Sequence, residues 1–450
     1  MFWNRKSEIK KGKMQTFVYD GFSLFDEKDG WITAKDSVAC ACEDGVLRSG
    51  LGTDTFFADG KTFFLGLSEE KTKGVYFFDF VRNEAQLETK KAVFCHDTDG
   101  VLYRYDVDGE RTEIDNIGKV IDFAVATNRA MEMRVIFVGE NACFEAWPDG
   151  VIQPIRLTDL LPVACACKNR IFLVQKPNRL MYSEAGDPWD FNSTIDGGGS
   201  LRLPTEYGKV VALVNLEEVV YVFFERGISR FEADAAARNF KMKPIAYSGG
   251  EIFAGSVGVF GKGIVFLAAD GVYRFDGNKA EKGYKKLNIQ PKRTGQVCVQ
   301  ASCNNQYLLS YTDVNKGEVT LVLHADGEQG YFTWKILGLT GCDGRAICNT
   351  NGILSEVIEG GEVLGGCYFD CGSFDFGNKE RKLLRKLRFT GEGTFSCIVE
   401  NDTTICSNEF TFVDGVAEWT LKERGRTFNV SFMLREDAKI RSMTAEVESL

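Results

Sequence analysis

A short motif that recurs along the chain constrains the fold more than any other feature of the sequence. Each copy is an apolar run, a turn, and then an aromatic segment that ends in an acidic residue. Clear copies at 99–106 and 270–277 begin with Asp-Gly, and a looser copy at 226–232 begins with Arg-Gly. Alternating apolar and polar residues between such turns indicate β-strands. The chain is therefore predicted to fold from repeated β-hairpins.

The spacing of the copies predicts the architecture. Weaker copies lie at 134–147, 170–184, 306–334 and 363–376. Successive copies end at intervals that are mostly close to the roughly 40–50 residues of a four-stranded propeller blade. We therefore expect an all-β fold, a β-propeller of about seven blades, with six or eight blades also compatible.

The two ends of the chain lack this repeat. We expect residues 1–55 to form an N-terminal arm and the first propeller strands, and residues 56–376 to form the propeller. Residues 377–450 show strand signals about every 8–12 residues, which predicts a small C-terminal β-sandwich-like domain.

A second repeat contains paired cysteines. Val-Ala-Cys-Ala-Cys occurs at 38–42 and again at 163–167. Zinc sites usually space their cysteines as Cys-x₂₋₄-Cys, and no His lies near either pair. Small residues suit the crowded inner strands of a propeller, so both segments are predicted to be core strands with reduced thiols.

The composition argues against several classes of protein. With 44% hydrophobic residues and 35 Phe the chain should be folded, and its net charge of −10 opposes non-specific binding along nucleic acid. No apolar stretch reaches the roughly 20 residues of a membrane-spanning helix. No secretory signal is visible at the N-terminus, so synthesis in the cytoplasm is expected.

Motifs for catalysis and cofactor binding are missing from the sequence. It has no complete phosphate-binding loop, no dinucleotide-binding glycine pattern, no His-Glu-x-x-His and no Gly-x-Ser-x-Gly. The two histidines, His96 and His324, leave little room for acid–base chemistry. We expect a protein that is not an enzyme and that has no cofactor and no metal site.

One basic run stands out in this acidic chain. Within 379–388 six side chains are cationic: Lys379, Arg381, Lys382, Arg385, Lys386 and Arg388. They could contact nucleic acid phosphates, bind an acidic face of a neighbouring subunit, or form a solvated linker. No aromatic residue lies among them, which argues against a base-stacking surface.

The most distinctive segment is 180–192, Leu-Met-Tyr-Ser-Glu-Ala-Gly-Asp-Pro-Trp-Asp-Phe-Asn. It resembles a structural turn motif of tailed-bacteriophage virion proteins, in which Tyr-Ser ends a strand before Gly-Asp-Pro and an aromatic residue. The matching positions are Tyr182, Ser183, Gly186, Asp187, Pro188 and Trp189. Segments 36–50 and 419–448 resemble the two ends of the same proteins. The chain thus resembles the β-propeller tail hub, or nozzle, of short-tailed phages, which includes the packaged-DNA stabilisation proteins.

This resemblance implies a structural virion protein. Six copies would form a ring beneath the portal and adaptor, close the DNA exit channel, retain the packaged genome and carry distal tail parts or fibres. DNA would pass during ejection without sequence-specific binding, and the basic run 379–388 would face either another subunit or the channel. The protein would be made in the bacterial cytoplasm and reside in the virion tail.

Two other classes of function stay open at this point. The first is a propeller that binds or degrades a polysaccharide, for which acids and aromatic residues should cluster at one mouth of the channel. The second is a cellular scaffold propeller that binds peptides in an exposed apolar groove.

Overall fold

The computed structural model describes most of the chain in two compact units. The described residues are 12–58, 61–62, 72–81, 89–97, 101–105, 110–116, 120–129, 133–139, 143–146, 152–155, 157–191, 197–232, 240–303, 306–325, 330–336, 338–342, 345–350, 353–362, 365–377 and 379–450. The propeller unit comprises 55–329 and 335–356, and the sandwich unit comprises 1–54, 330–334 and 357–450.

The propeller unit contains seven successive antiparallel sheets among the described residues, here called blades 1 to 7. Blade 1 consists of Thr72–Val81, Thr89–Asp97, Val101–Tyr105 and Arg111–Asn116, and blade 2 of Val120–Thr127, Met133–Gly139, Cys143–Ala146 and Ile152–Ile155. Blade 3 consists of Leu160–Cys167, Arg170–Gln175, Arg179–Tyr182 and Gly199–Arg202. Blade 4 consists of Val210–Leu216, Val219–Phe224, Gly227–Glu232 and Lys241–Ile245.

Blades 5 to 7 follow the same order along the chain. Blade 5 contains Gly258–Phe260, Gly263–Ala268, Gly271–Phe275 and Ala280–Lys282. In this unit blade 6 contains Val299–Cys303, Gln306–Asp313 and Gly317–His324. Blade 7 contains Thr340–Cys342, Arg345–Thr350 and Ile353–Glu359, and the last of these strands continues three residues past the limit of the unit at 356. A two-stranded sheet, Phe57–Ala58 with Lys61–Thr62, and a 3-10 helix, Lys285–Leu287, lie in the same unit.

The blades follow one another around a ring. In blades 2 to 6 each first strand lies beside the first strand of the next blade, and the first strand of blade 7 lies beside that of blade 1. Blades 1 and 2 meet through Phe94 and Phe137, whose ring centroids are 5.5 Å apart. Consecutive sheets whose innermost strands meet around an axis define a β-propeller. The predicted fold and blade number are therefore confirmed for the described part of the chain.

Apolar side chains between blades form the propeller core. Between blades 3 and 4 this core contains Phe172, Val222 and Phe231, all fully buried. Phe172 and Phe231 meet edge to face, with ring centroids 5.7 Å apart. The strands alternate their side chains between two faces, so each blade supplies apolar residues to both of its neighbours.

The sandwich unit consists of two facing sheets. One sheet contains Met14–Tyr19, Cys40–Glu43, Val46–Ser49, Lys382–Glu392, Val416–Gly425 and Lys439–Ser449, and the other contains Asp36–Val38, Cys367–Phe374, Thr394–Glu400, Ile405–Thr411 and Phe428–Leu434. A parallel pair, Gly21–Ser23 with Trp31–Thr33, and the strands Leu51–Thr55 and Gly330–Trp334 complete its described strands.

Aromatic contacts hold the two sheets of the sandwich unit together. Phe389 on the first sheet meets Phe395 and Phe432 on the second, with centroid distances of 5.1 and 5.7 Å. All three rings are fully buried. The expected sandwich-like module is therefore present.

The sandwich unit draws its strands from both ends of the described chain. Met14–Tyr19 pairs with Lys439–Ser449, with Phe17 opposite Ala445. Cys367–Phe374, which lies in the last copy of the sequence repeat, pairs with Phe428–Leu434. The expected limits 1–55, 56–376 and 377–450 stay a prediction, and the compact units have the limits given above.

In the part of the chain that the structure describes, no helix has the length and apolar character needed to cross a membrane.

Candidate functional site

The turn motif 182–189 follows the third strand of blade 3 and is held by backbone hydrogen bonds. The Ser183 N–H donates to the Ile171 carbonyl at 2.9 Å, and the Ile171 N–H donates to Ser183 Oγ at 2.8 Å. The Asp190 carbonyl accepts the Glu184 N–H at 2.8 Å. The motif therefore forms a closed turn held by backbone groups of the propeller unit, while Oδ1 of its Asp187 is buried without a hydrogen-bond partner.

A buried arginine anchors this turn. Arg170 is fully buried, and its Nη1 donates to the carbonyls of Ser183 and Gly197 at 2.5 and 3.1 Å. Its guanidinium lies 5.4 Å from the ring centroid of Phe240. Because charged donors strengthen hydrogen bonds to carbonyls, Arg170 fixes both ends of the loop between the third and fourth strands of blade 3. Arg170 carries no pattern in the sequence that marks it as buried or functional.

Gly186 allows a close approach between blades 2 and 3. Its φ is +76°, and a Cβ added there would lie 2.8 Å from Arg129 Cγ. The Gly186 carbonyl accepts the Arg129 N–H at 3.0 Å, and the Arg129 guanidinium pairs with the Glu184 carboxylate. A side chain at position 186 would disturb this contact, which explains the glycine.

Three carboxylates collect on the same turn. Burial first, and then the negative charges of Asp190 and Glu184, raise the pKa of the Asp187 carboxyl. Pro188 is buried, and Trp189 lies under the Arg134 guanidinium, with 5.5 Å from its central carbon to the ring centroid. Arg134 also pairs with Glu145, with both side chains largely buried. The motif thus carries negative charge on a rigid support.

The basic run 379–388 lies in and just before the strand Lys382–Glu392 of the sandwich unit. Lys382 is buried, and its Nζ donates to the carbonyls of Glu380 and Arg426 at 2.9 and 3.3 Å. Burial lowers the pKa of its ammonium group. This lysine fastens the chain before the strand and does not face solvent.

Most other cations of the run have acidic partners in the same unit. Arg385 contacts Glu448 through Nε and Nη2, at 2.8 and 2.5 Å from one carboxylate oxygen. Glu418 pairs with Lys386 at 2.7 Å and with Arg388 at 3.7 Å. Lys379 and Arg381 are exposed. The run lies on and just before one strand, and three of its six cations pair with two carboxylates of the same unit. Its expected role at an interface or channel stays a prediction.

Side chains on the inner strands tie neighbouring blades together. Asp122 in blade 2 accepts the N–H of Ala164 in blade 3 at 2.9 Å. Asn215 in blade 4 donates to the Ala166 carbonyl at 2.9 Å, and Ser302 in blade 6 donates to the Val259 carbonyl in blade 5 at 2.6 Å. Burial raises the pKa of the Asp122 carboxyl to about 7, against the effect of its backbone hydrogen bonds. These bonds stiffen the ring around its axis.

The two Cys-x-Cys segments lie in different units. Segment 163–167 is on the first strand of blade 3, as expected for an inner propeller strand. Segment 38–42 instead passes between the two sheets of the sandwich unit, with Ala39 at a φ of +57°. Burial raises the pKa of the Cys165 thiol. Among the described residues, no group of three or more His, Cys, Asp or Glu side chains could hold a metal ion.

A second basic segment was not identified from the sequence. Residues 283–298, here called the basic loop, join blade 5 to blade 6 and contain Lys285, Lys286, Lys292 and Arg293 without an acidic residue. All four side chains are exposed. The sequence does contain a signal for this basic segment, because residues 282–312 include no Asp or Glu.

Comparison with known proteins does not assign a family. No family model matches the sequence, and none of the curated proteins is a significant relative. YCF48 from Cyanidioschyzon merolae is 14% identical with a TM-score of 0.40, and the match covers 66% of this chain and 97% of that one. The N-terminal domain of Nup159 is 11% identical with a TM-score of 0.37, covering 68% and 97%.

A third solved structure gives the same result. BBS1N, solved in complex with ARL6DN, is 8% identical with a TM-score of 0.42, and the match covers 66% of this chain and 96% of that one. Likenesses this weak decide neither function nor partners, and the fold rests on the strand topology. None of the three is a phage protein, so the resemblance to tail hubs rests on the sequence motif.

Proposed function

We propose that this chain is a structural virion protein, a tail hub or nozzle subunit of a short-tailed phage. In this role several copies form a ring below the portal and adaptor, retain the packaged genome and connect to the distal tail or fibres. The protein is made in the host cytoplasm, resides in the virion tail, and guides DNA without sequence-specific binding. It is not an enzyme.

The observation that carries this proposal is the use of the phage-like motif as structure. Ser183 and Arg170 fix the turn by hydrogen bonds to backbone groups, and Gly186 permits its contact with Arg129. Every one of these contacts holds a blade in place. A motif used in this way is what the resemblance implies for a rigid structural subunit, because a virion part must keep its shape under the pressure of packaged DNA.

The ring of blades supports the same proposal. Asp122, Asn215 and Ser302 hydrogen-bond to the backbone of a neighbouring inner strand. Such bonds between first strands resist opening of the propeller, because each must break when two blades separate. A stiff body suits a load-bearing part, although the propeller fold itself is shared by proteins of many functions.

Assembly on a template tests the proposal. The full chain would be measured by multi-angle light scattering alone, with the portal ring, and with the portal ring plus adaptor encoded beside it. We expect six copies per portal–adaptor complex and none on the portal ring without adaptor. A chain that stays monomeric with all of these partners, yet binds or cleaves a bacterial surface glycan, would overturn the tail-hub assignment in favour of a lectin or glycanase.

A further inference from the structure

The basic loop concentrates positive charge on an acidic chain. It contains four Lys and Arg residues and no acid, whereas the whole chain has a net charge of −10. Screening limits electrostatic interactions to about 8 Å at physiological salt. Over that distance a partner surface therefore experiences the charge of the loop more than that of the whole chain.

The loop is held in one shape by a buried carboxylate. Asp313 Oδ2 accepts the Gln290 N–H at 2.9 Å and the Tyr311 hydroxyl at 3.0 Å, while Oδ1 accepts the Asn315 N–H at 2.9 Å. The Lys292 N–H also donates to the Thr312 carbonyl at 2.9 Å. The basic loop is thus fastened to the hairpin that joins the second and third strands of blade 6. A surface already fixed in shape loses little entropy on binding.

Two exposed valines lie with these cations. Val297 in the loop is 71% exposed, and Val314 at the fastened hairpin is 64% exposed. The Val314 N–H donates to the Gln290 carbonyl at 2.8 Å, so this hairpin and the loop form one surface. A nucleic acid backbone would neutralise the cations but leave the valines in water. A protein surface with carboxylates and apolar groups would satisfy both.

The opposite face of the same propeller carries such carboxylates. Connections from one blade to the next leave from one face, whereas turns between first and second, and third and fourth, strands leave from the other. The second face includes the acidic turns, defined as 184–190 and 217–218. Glu217 and Glu218 are exposed and form a two-residue hairpin tip with φ of 51° and 61°. Glutamate seldom occupies this conformation, so the tip presents two charges at a conformational cost.

We propose that the basic loop, together with Val314, docks on the acidic turns of a second copy of this chain. The two surfaces lie on opposite faces, so the contact is head to tail and does not pair like with like. Head-to-tail contacts generate a closed ring when the rotation between subunits closes. The inference rests on the proposed ring-forming function and assigns the surfaces through which copies meet. The basic run 379–388 is a poorer candidate because three of its six cations already pair with acids of its own unit and Lys382 is buried.

Charge reversal tests the docking surface. Sedimentation velocity in 50 mM NaCl would give the dissociation constant for self-association of the full chain and of a variant with Lys285→Glu, Lys292→Glu and Arg293→Glu. We expect at least a tenfold weaker association for this variant. Adding Glu217→Lys and Glu218→Lys should recover most of the loss, because both charges of the contact are then exchanged.

A matched variant separates local from overall charge. Lys422→Glu, Arg424→Glu and Arg426→Glu change the net charge by the same amount on exposed residues of the sandwich unit. Its association should equal that of the unmodified chain. A milder variant, Lys285→Gln, Lys292→Gln and Arg293→Gln, should show an intermediate loss and covers the case in which the glutamates prevent folding.

The outcomes are decisive in both directions. A loop variant that associates as tightly as the unmodified chain, or a weakening equal to that of the matched variant, overturns the docking proposal. So does an unmodified chain that shows no self-association at any concentration up to its solubility limit. If six copies still assemble on the portal–adaptor template with the loop charges reversed, the docking surface is wrong while the tail-hub function stands.

Discussion

The Asp122 carboxylate accepts the backbone N–H of Ala164 at 2.9 Å and so joins the inner strands of blades 2 and 3. Its other oxygen accepts the Phe123 N–H at 2.9 Å. Burial nevertheless raises its pKa to about 7, so the group that ties these blades changes its charge near neutral pH.

This pKa gives a pH dependence of stability. The folded chain keeps the Asp122 proton up to about pH 7, whereas the unfolded chain releases it near pH 4. Between these values the folded state binds more protons, so stability falls as pH rises. We expect the free energy of unfolding to drop by about 2.5 kcal/mol between pH 5 and pH 8 from this group. Urea unfolding at both pH values measures it.

Two substitutions make that measurement specific to Asp122. Asp122→Asn should flatten the pH dependence, because the amide does not titrate. Asp276→Asn should leave it unchanged, since hydrogen bonds from the Lys279 and Asn278 backbone lower the pKa of Asp276 and move its titration to acid pH. An unchanged slope in Asp122→Asn would contradict the assignment.

Arg170 should be one of the most costly residues to replace. Arg170→Met keeps the apolar part of the side chain but leaves the carbonyls of Ser183 and Gly197 without this donor. We expect a loss of about 3 kcal/mol in the free energy of unfolding. Arg179→Met, at an exposed position on the next strand, should change it by less than about 0.5 kcal/mol. Equal losses in the two variants would show that the buried anchor has no special weight.

Gly186→Ala separates steric contact from backbone strain. The new Cβ would lie 2.8 Å from Arg129 Cγ at a φ of +76°. We therefore expect the free energy of unfolding, measured in urea, to fall by about 2 kcal/mol. Gly261 has a φ of +59° with no atom within 4 Å of an added Cβ. Gly261→Ala therefore reports the strain alone and should cost about 1 kcal/mol. The prediction fails if Gly186→Ala is the milder of the two.

Thiol labelling should be slow in the folded chain. Ten of the twelve cysteines whose side chains are described are buried, and burial raises the pKa of Cys143 to about 12. A disulfide reagent attacks the thiolate, so both effects slow the reaction. We expect half-buried Cys406 to react first, and Cys406→Ser to remove that phase. Rapid labelling of several sites in native buffer would contradict the burial found here.

The sequence repeat predicted the propeller because its clear copies mark the third strands of the blades. The copies at 99–106, 226–232 and 270–277 coincide with third strands of blades 1, 4 and 5. The last copy does not: Cys367–Phe374 belongs to the sandwich unit, and blade 7 is built from the earlier strands 340–359. A short apolar strand that ends in an aromatic residue occurs in a blade and in a sandwich alike, although a blade buries both faces of its strands and a sandwich sheet mainly one. Seven blades were expected and seven are found, although the last of the seven repeat copies, 363–376, does not lie in a blade.

The candidate site was harder to predict because its contacts are long-range. The motif 182–189 was recognisable as a turn from Gly186 and Pro188. Its anchor Arg170 was not, since nothing local distinguishes a buried arginine from an exposed one. Likewise the run 379–388 counts as strongly basic in sequence, whereas Glu418 and Glu448, which balance much of it, lie 30 or more residues away.

The strand pairing of the sandwich unit delays its folding during translation. Met14–Tyr19 finds its partner only in Lys439–Ser449, more than 400 residues later in the chain. At roughly 5–20 residues per second, a ribosome needs on the order of 20–80 s to cover that distance. During this interval Met14–Tyr19 lacks its partner strand, and its backbone groups are exposed to chaperones and to other nascent chains. Of the two described units, the sandwich unit therefore cannot be complete until its strand Lys439–Ser449 has been synthesised, whatever the order in which the blades close.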